Sequence, residues 1–251
     1  MRRLPDDDAL SATSPNVSIV IPLYNEEDNV PILQEELRTA LGDFDTEIIF
    51  VDDGSTDATV ERVQTGNGVR LIQFRRNAGQ SAAMIAGILS ARGEIIVMLD
   101  GDLQNDPADI PRLLTEISRG ADLVCGYRAH RADSLTKKIT SRVANFVRSR
   151  FVGDGIRDTG CTLKAMRREC APALVPFQGV HRFIPALIKN AGHSVVEIPV
   201  NHRPRKFGSS KYGLGNRALR ATTDMFGVRW IQSRRLDYVV QSDQSSKTTA
   251  Q

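Results

Sequence analysis

Two aspartates two residues apart close an apolar run in Leu99-Asp100-Gly101-Asp102-Leu103-Gln104-Asn105-Asp106-Pro107. With Gly101 between them, the carboxylates of Asp100 and Asp102 can both turn toward one hard cation at a strand end. Gln104 can add an amide oxygen. Oxygen ligands of this kind suit Mg2+ or Mn2+, which keep open positions for diphosphate oxygens. The plainer alternative is a polar strand-to-helix turn in which Asp106 caps the helix that Pro107 opens.

A second acidic pair, Asp52 and Asp53, ends the apolar run Glu47-Ile-Ile-Phe-Val and precedes Gly54-Ser55-Thr56-Asp57. One of these carboxylates can accept hydrogen bonds from a base or ribose. A simple N-cap turn accounts for Gly54, Ser55 and Thr56, but not for two adjacent aspartates at the end of a hydrophobic strand. In Ile21-Pro22-Leu23-Tyr24-Asn25-Glu26-Glu27, Tyr24 can stack on a nucleobase and Glu26 can bind ribose, while Asn25 and Glu27 suit a helix start. The segment Phe74-Arg75-Arg76-Asn77-Ala78-Gly79-Gln80 offers Arg75 and backbone N–H groups near a base or phosphates. A solvated basic turn explains it about equally well.

The elements that must position these groups alternate regularly. Strands are predicted over 17–22, 47–52, 69–74, 94–99 and 121–126, with helices over 26–41, 56–64, 79–91 and 107–119. Apolar strands alternating with helices indicate a mostly parallel sheet with right-handed crossovers. Ligands in such sheets bind beyond the carboxyl ends of the strands, which puts Tyr24, Asp52, Asp53, Asp100 and Asp102 on one rim. Beyond Gly126 the pattern changes to two amphipathic, arginine-rich stretches, Leu135 to Phe151 and Leu214 to Trp230. Core packing is the ordinary use of such helices; an anionic membrane surface is the other.

The 251 residues fit one large α/β domain or one domain with an appendage. The net charge of +3 hides an asymmetry: residues 1–125 carry 10 Lys/Arg against 22 Asp/Glu, and residues 126–235 carry 22 against 6. An acidic half beside a basic half suits one protein that holds both cations and anions. Cys125, Cys161 and Cys170 form no CxxC pair, which argues against a disulfide framework or zinc site and favours a reduced, cytosolic setting. No secretion signal and no run of about 18 apolar residues is visible, so any membrane contact is expected to be peripheral. The basic stretch Lys137 to Arg150 lacks an interleaved aromatic stacking platform, so nucleic acid is not expected as a partner.

Taken in order, these motifs resemble the family 2 glycosyltransferases of the GT-A fold, and within them the branch of dolichol-phosphate mannose synthases and bacterial polyprenyl-phosphate glycosyltransferases. The resemblance runs through VSIVIPLYNE (17–26), EIIFVDDGSTD (47–57), RNAGQ (76–80), VMLDGDLQNDP (97–107), GYR (126–128), RDTGCTLK (157–164) and HRPRKFGSSKYG (202–213). It implies a Rossmann-like, mostly parallel sheet flanked by helices, with C-terminal amphipathic helices. Flexible tails are expected over 1–15 and 236–251. The catalytic domain would span 16–235, divided into a nucleotide-sugar half (16–126) and an acceptor- and membrane-facing half (127–235). By resemblance, Pro22, Tyr24, Glu26, Asp52, Asp53, Arg75 and Gln80 surround the nucleoside end of the donor. Asp100, Asp102 and Gln104 hold Mg2+ or Mn2+, and Gly101 lies with them against the donor. Arg128, Arg131, Arg205, Ser210 and Lys211 line the phosphates, and Asp158 sits by the acceptor.

The resemblance implies inverting transfer from a UDP- or GDP-sugar to a polyprenyl phosphate at the cytoplasmic membrane face, with a homo-oligomer or a membrane partner as further options. Two alternatives stay open. One is a family 2 transferase acting on a soluble saccharide or protein hydroxyl, which would need a true general base. The other is a non-catalytic nucleotide-sugar binder.

Overall fold

The computed structural model describes residues 15–42, 44–129, 148–207 and 215–236. The expected tails, most of the stretch 135–151, and the candidate phosphate-site residues Arg131, Ser210 and Lys211 lie outside the described residues.

Seven strands form one sheet: β1 Val17–Leu23, β2 Thr46–Asp52, β3 Val69–Gln73, β4 Ile95–Met98, β5 Leu123–Arg128, β6 Lys164–Arg167 and β7 Val195–Val200. Their order is β3-β2-β1-β4-β6-β5-β7. All pairings are parallel except those of β6, which runs antiparallel to both β4 and β5. The mostly parallel α/β sheet expected from the alternating sequence is therefore present. The chain order reverses between β1 and β4, because β1 leads out to β2 on one side and pairs with β4 on the other. That is the switch point where the crossovers leave an open crevice.

β1 is apolar along nearly its whole length because helices cover both faces of the sheet. On one face α1 (Val30–Leu41) and α4 (Ile110–Ser118) bury Leu33, Leu37, Leu113 and Ile117 against Ile19, Ile21 and Val97. On the other, α3 (Gln80–Ser90) and α5 (Ile184–Asn190) bury Met84, Ile88 and Leu187 against Val20, Ile96 and Met98. The short helix α2 is Thr59–Arg62, and the C-terminal helix α6 is Gly215–Ser233. Cys125, Cys161 and Cys170 are buried and free.

Helix α1 starts four residues later than the periodicity suggests, because Asn25 sits at φ 53° and turns the chain before the helix can begin. β6, α5 and β7 carry no sequence expectation. β6 is only four residues, Lys-Ala-Met-Arg, and its end charges mask a strand. No helix among the described residues is long and apolar enough to cross a membrane.

Candidate active site

β4 delivers Asp100 and Asp102 to the rim at the switch point, and the turn that holds them is tight. A Cβ on Gly101 would lie 2.5 Å from Leu23 Cδ2 and 3.2 Å from the Pro22 carbonyl oxygen. Leu103 adopts a left-handed φ of 61° while its side chain is buried, so the core holds this loop in a conformation that costs about 1–3 kcal/mol.

Asp100 accepts hydrogen bonds from Gln80 Nε2 at 2.7 Å on one oxygen and from Thr162 Oγ1 at 2.6 Å on the other. Burial, and then the nearby charge of Asp102, push the Asp100 carboxyl up to about 6; Thr162, Lys164 and Gln80 oppose the rise. Asp102 accepts from the Gln104 backbone N–H at 3.1 Å and from Arg205 Nη2 at 2.6 Å.

Two carboxylates close enough to repel, with an arginine compensating one of them, fit a hard divalent cation. Among the described residues no group of three His, Cys, Asp or Glu side chains could hold a metal.

Beyond the ends of β2 and β3 lies a cavity of about 570 Å³, lined by Tyr24, Asp52, Ser55, Gln73, Arg75 and Asn77 among others. The two loops that floor it are laced together. Asn25 N–H donates to Ser55 Oγ at 2.9 Å, Thr56 N–H to Asn25 Oδ1 at 2.8 Å, and Glu26 N–H to Thr59 Oγ1 at 2.7 Å. The Glu26 carboxylate accepts from Asn29 Nδ2. Asp52 accepts from Ser55 N–H.

Asp53 is buried and accepts from the N–H groups of Ala78 at 2.7 Å and Gly79 at 2.9 Å. Burial pushes its carboxyl above the usual range against those two bonds, and the Asp52 charge adds to the rise. A carboxylate has about four acceptor positions, so these bonds anchor Asp53 without exhausting it. Pro22, Tyr24, Glu26, Asp52, Asp53 and Arg75 are thereby gathered on one side of the rim. Gln80 is turned toward Asp100.

Gly54 makes this arrangement possible. It sits at φ 71°, and a Cβ there would lie 2.7 Å from the backbone of Arg76 and Asn77. Gly54→Ala is expected to lower unfolding stability by about 2 kcal/mol or more. It should also weaken nucleotide binding by pushing the Arg75–Asn77 turn away from the cavity. Urea denaturation and nucleotide titration on the same preparation check both effects.

The basic half meets the acidic loop through residues 201–207. Asn201 N–H donates to Asp109 at 2.6 Å, Arg203 N–H to the Gln104 carbonyl at 2.9 Å, and Asn105 forms a β-bridge with His202. The Arg203 guanidinium reaches both Asp106 at 2.6 Å and Glu36 at 2.8 Å. These contacts carry Arg205 to Asp102. At the end of β5, Arg128 grips Asp158 through Nε at 2.7 Å and Nη2 at 2.8 Å, and Gly160 N–H adds a further bond at 3.2 Å. Asp158 is thus held in a largely buried, two-pronged ion pair.

Sequence reasoning missed Thr162 and Lys164. Both lie in the stretch that contains Asp158, two residues apart, so they share a face where β6 begins. Lys164 is buried, and its Nζ donates to the Cys161 carbonyl.

In comparison with known proteins, the family model described as Glycosyl transferase family 2 matches residues 18–174. The dodecaprenyl-phosphate galacturonate synthase of Rhizobium johnstonii is 40% identical over 226 residues, covering 86% of this chain and 67% of that protein. The undecaprenyl-phosphate 4-deoxy-4-formamido-L-arabinose transferase of Yersinia enterocolitica is 41% identical over 205 residues, covering 79% of this chain and 63% of that protein. The chain thus spans about two thirds of the length of these relatives. Among solved structures, glucosyl-3-phosphoglycerate synthase from Mycobacterium tuberculosis, crystallised with Mn2+, UDP-glucose and phosphoglyceric acid, superposes with a TM-score of 0.63 at 19% identity. That match covers 89% of this chain and 81% of the other. This likeness extends to the fold.

Proposed function

The chain belongs to the family 2 glycosyltransferases, and from that we propose that it moves a sugar, with inversion, from a UDP- or GDP-sugar onto a polyprenyl phosphate at the cytoplasmic face of a membrane. The observation that carries the proposal is the contact of Arg205 with Asp102, a basic arm seated on an acidic rim at the switch point. The same closeness suits an anionic diphosphate held between cation and arginine. The names of the two relatives support the acceptor class.

In this reading Tyr24, Asp52 and Arg75 bind the nucleoside in the cavity they line, with Glu26 and Asp53 on the neighbouring loops. Asp100, Asp102 and Gln104 would hold Mg2+ or Mn2+, which when bound supplies neutralising charge to the leaving diphosphate. Arg205, joined by Lys211 and Ser210, pairs the donor phosphates and stabilises their charge as the bond from C1 of the sugar to the diphosphate breaks. An acceptor phosphate oxygen forms the new bond to C1 from the opposite face. A phosphate with its second pKa near 6 is already anionic at neutral pH, so no strong general base is required. Asp158 then serves by fixing Arg128, which with Arg131 orients the acceptor phosphate.

Helix α6 supplies a membrane-facing surface. Val228 is buried and Met225 and Ile231 pack on the core, while Phe226 (61% exposed) and Trp230 (64% exposed) point outward beside exposed Arg229. Phe226 also meets Phe151 edge-on, with ring centroids 5.0 Å apart. An aromatic pair one turn apart next to a cation suits a lipid headgroup region, and each Lys or Arg near an anionic leaflet adds about 1 kcal/mol of attraction.

Purified protein incubated with Mn2+ or Mg2+, a panel of UDP- and GDP-sugars and a short polyprenyl phosphate should yield a sugar–phosphate–polyprenol of matching mass. Product only on a soluble hydroxyl acceptor would replace the lipid-acceptor reading. Absence of both transfer and donor hydrolysis would remove the enzyme reading altogether.

A further inference from the structure

The first turn of α3 faces two ways. Toward the site, Ala78 and Gly79 N–H groups bind Asp53, and Gln80 binds Asp100. Away from it, the same turn is gripped at Ala78 and Ser81 by a turn from the second half of the chain. Gln178 Nε2 donates to the Ala78 carbonyl at 2.6 Å, Gly179 N–H donates to Ser81 Oγ at 2.8 Å, and His181 Nδ1 is hydrogen bonded to Ser81 Oγ at 2.9 Å.

The seat is close-fitting. Ser81 is buried, and Val180 and Phe183 anchor the turn in the core below α3. Gly179 sits at φ 100°, where a Cβ would lie 2.8 Å from Asp224 of α6 and 2.9 Å from Arg182. The opposite side chain, Arg182, reaches Asp224 at 3.3 Å.

We propose that Gln178 and His181 are positioning residues for the donor site: through Ala78 and Ser81 they fix the α3 first turn, and that turn fixes the carboxylates of Asp53 and Asp100. Their effect is passed to the substrate through the N–H groups and the Gln80 amide they hold in place. The inference rests on the reading that these two carboxylates serve the nucleotide and its metal. It adds residues some 80 to 100 positions away in sequence, from outside every motif that carries the resemblance.

The test is isothermal titration of UDP and of GDP, each with MnCl2, into the full chain, alongside steady-state transfer. His181→Phe keeps a flat ring of similar bulk and loses the bond to Ser81. One lost hydrogen bond corresponds to about a three- to tenfold change. Metal-dependent nucleotide affinity and donor KM should worsen by about that factor, with acceptor KM unchanged. His181→Asn, which can return a polar atom near the Nδ1 position, should recover most of the loss. Ser81→Ala should reproduce the phenylalanine variant if His181→Phe folds poorly.

Wild-type donor KM in both His181→Phe and Ser81→Ala overturns the proposal. So does an equal rise in acceptor KM, or a fall in kcat alone that asparagine does not rescue. If the wild-type chain itself binds neither nucleotide with Mn2+, the transferase reading fails first and this inference goes with it.

Discussion

Asp102→Ala should reduce metal-dependent sugar transfer by about 10³-fold while leaving the fold in place. The size follows from what the carboxylate does. It would supply one of two charged oxygen ligands to the cation, and removing a single preorganised electrostatic group from a transition state commonly costs 10²- to 10³-fold. A metal ligand combines that with loss of the metal. The fold should survive because the partner of Asp102, the Arg205 guanidinium, is about a third exposed and can be solvated when left alone. Pairs of that exposure contribute on the order of 1 kcal/mol or less. The decisive measurement is therefore paired: initial rates across a Mn2+ titration, and thermal unfolding of the same sample. More than about a tenth of wild-type transfer, at unchanged metal dependence, would sink the assignment of Asp102 to the cation.

Asp158→Asn carries the second large effect, of a different character. Side-chain exposures of 14% for Arg128 and 10% for Asp158 put this pair out of reach of bulk water. Removing one member of such a pair leaves a charge without its counter-ion, at a cost of about 3–5 kcal/mol. Unfolding stability should fall by roughly 3 kcal/mol, and turnover should fall with it as Arg128 swings free. If Asp158 acts through Arg128, Arg128→Met should lose a similar factor in turnover, and the double variant should be scarcely worse than either single one. If Asp158 instead removes a proton from a hydroxyl acceptor, Asp158→Asn should abolish transfer while Arg128→Met leaves a measurable rate. The second pattern would favour the soluble-acceptor alternative.

The acidic rim was legible in the sequence because its residues end apolar runs. Asp52 and Asp53 follow the apolar run Ile48 to Val51, Asp100 and Asp102 follow the run Ile95 to Leu99, and parallel strands between helices bring their ends to one edge. Tyr24, Glu26 and Arg75 could be placed for the same reason. The basic partner of that rim was legible as a charge imbalance between halves, and Arg205 does reach Asp102.

Beyond the motif RDTGCTLK at 157–164, the stretch up to residue 200 was not legible. β6 is short and flanked by charge, and its reversed direction breaks the regular strand–helix rhythm. Thr162 and Lys164 consequently looked like loop residues, although they stand under Asp100. Gln178 and His181 gave no signal at all, because their partners are a carbonyl and a serine hydroxyl on a helix start about 100 residues earlier. Contacts of that range leave no periodicity to read.

The backward strand β6 also decides which parts of the pocket can be altered separately. In a parallel sheet every rim loop follows its strand. β6 brings its beginning to the rim instead, so the side chains at 157–164 arrive from upstream and rest on β4 and β5. They share no turn with the loops after β1 and β2 that floor the nucleoside cavity. Under the proposed function, exchanges at 157 and 159–161 would act on the sugar and acceptor side, whereas Asp158 and Thr162 are tied to Arg128 and Asp100 and are not free to vary. In the proposed reading, the choice of cargo and the means of holding its carrier then rest on segments of opposite direction.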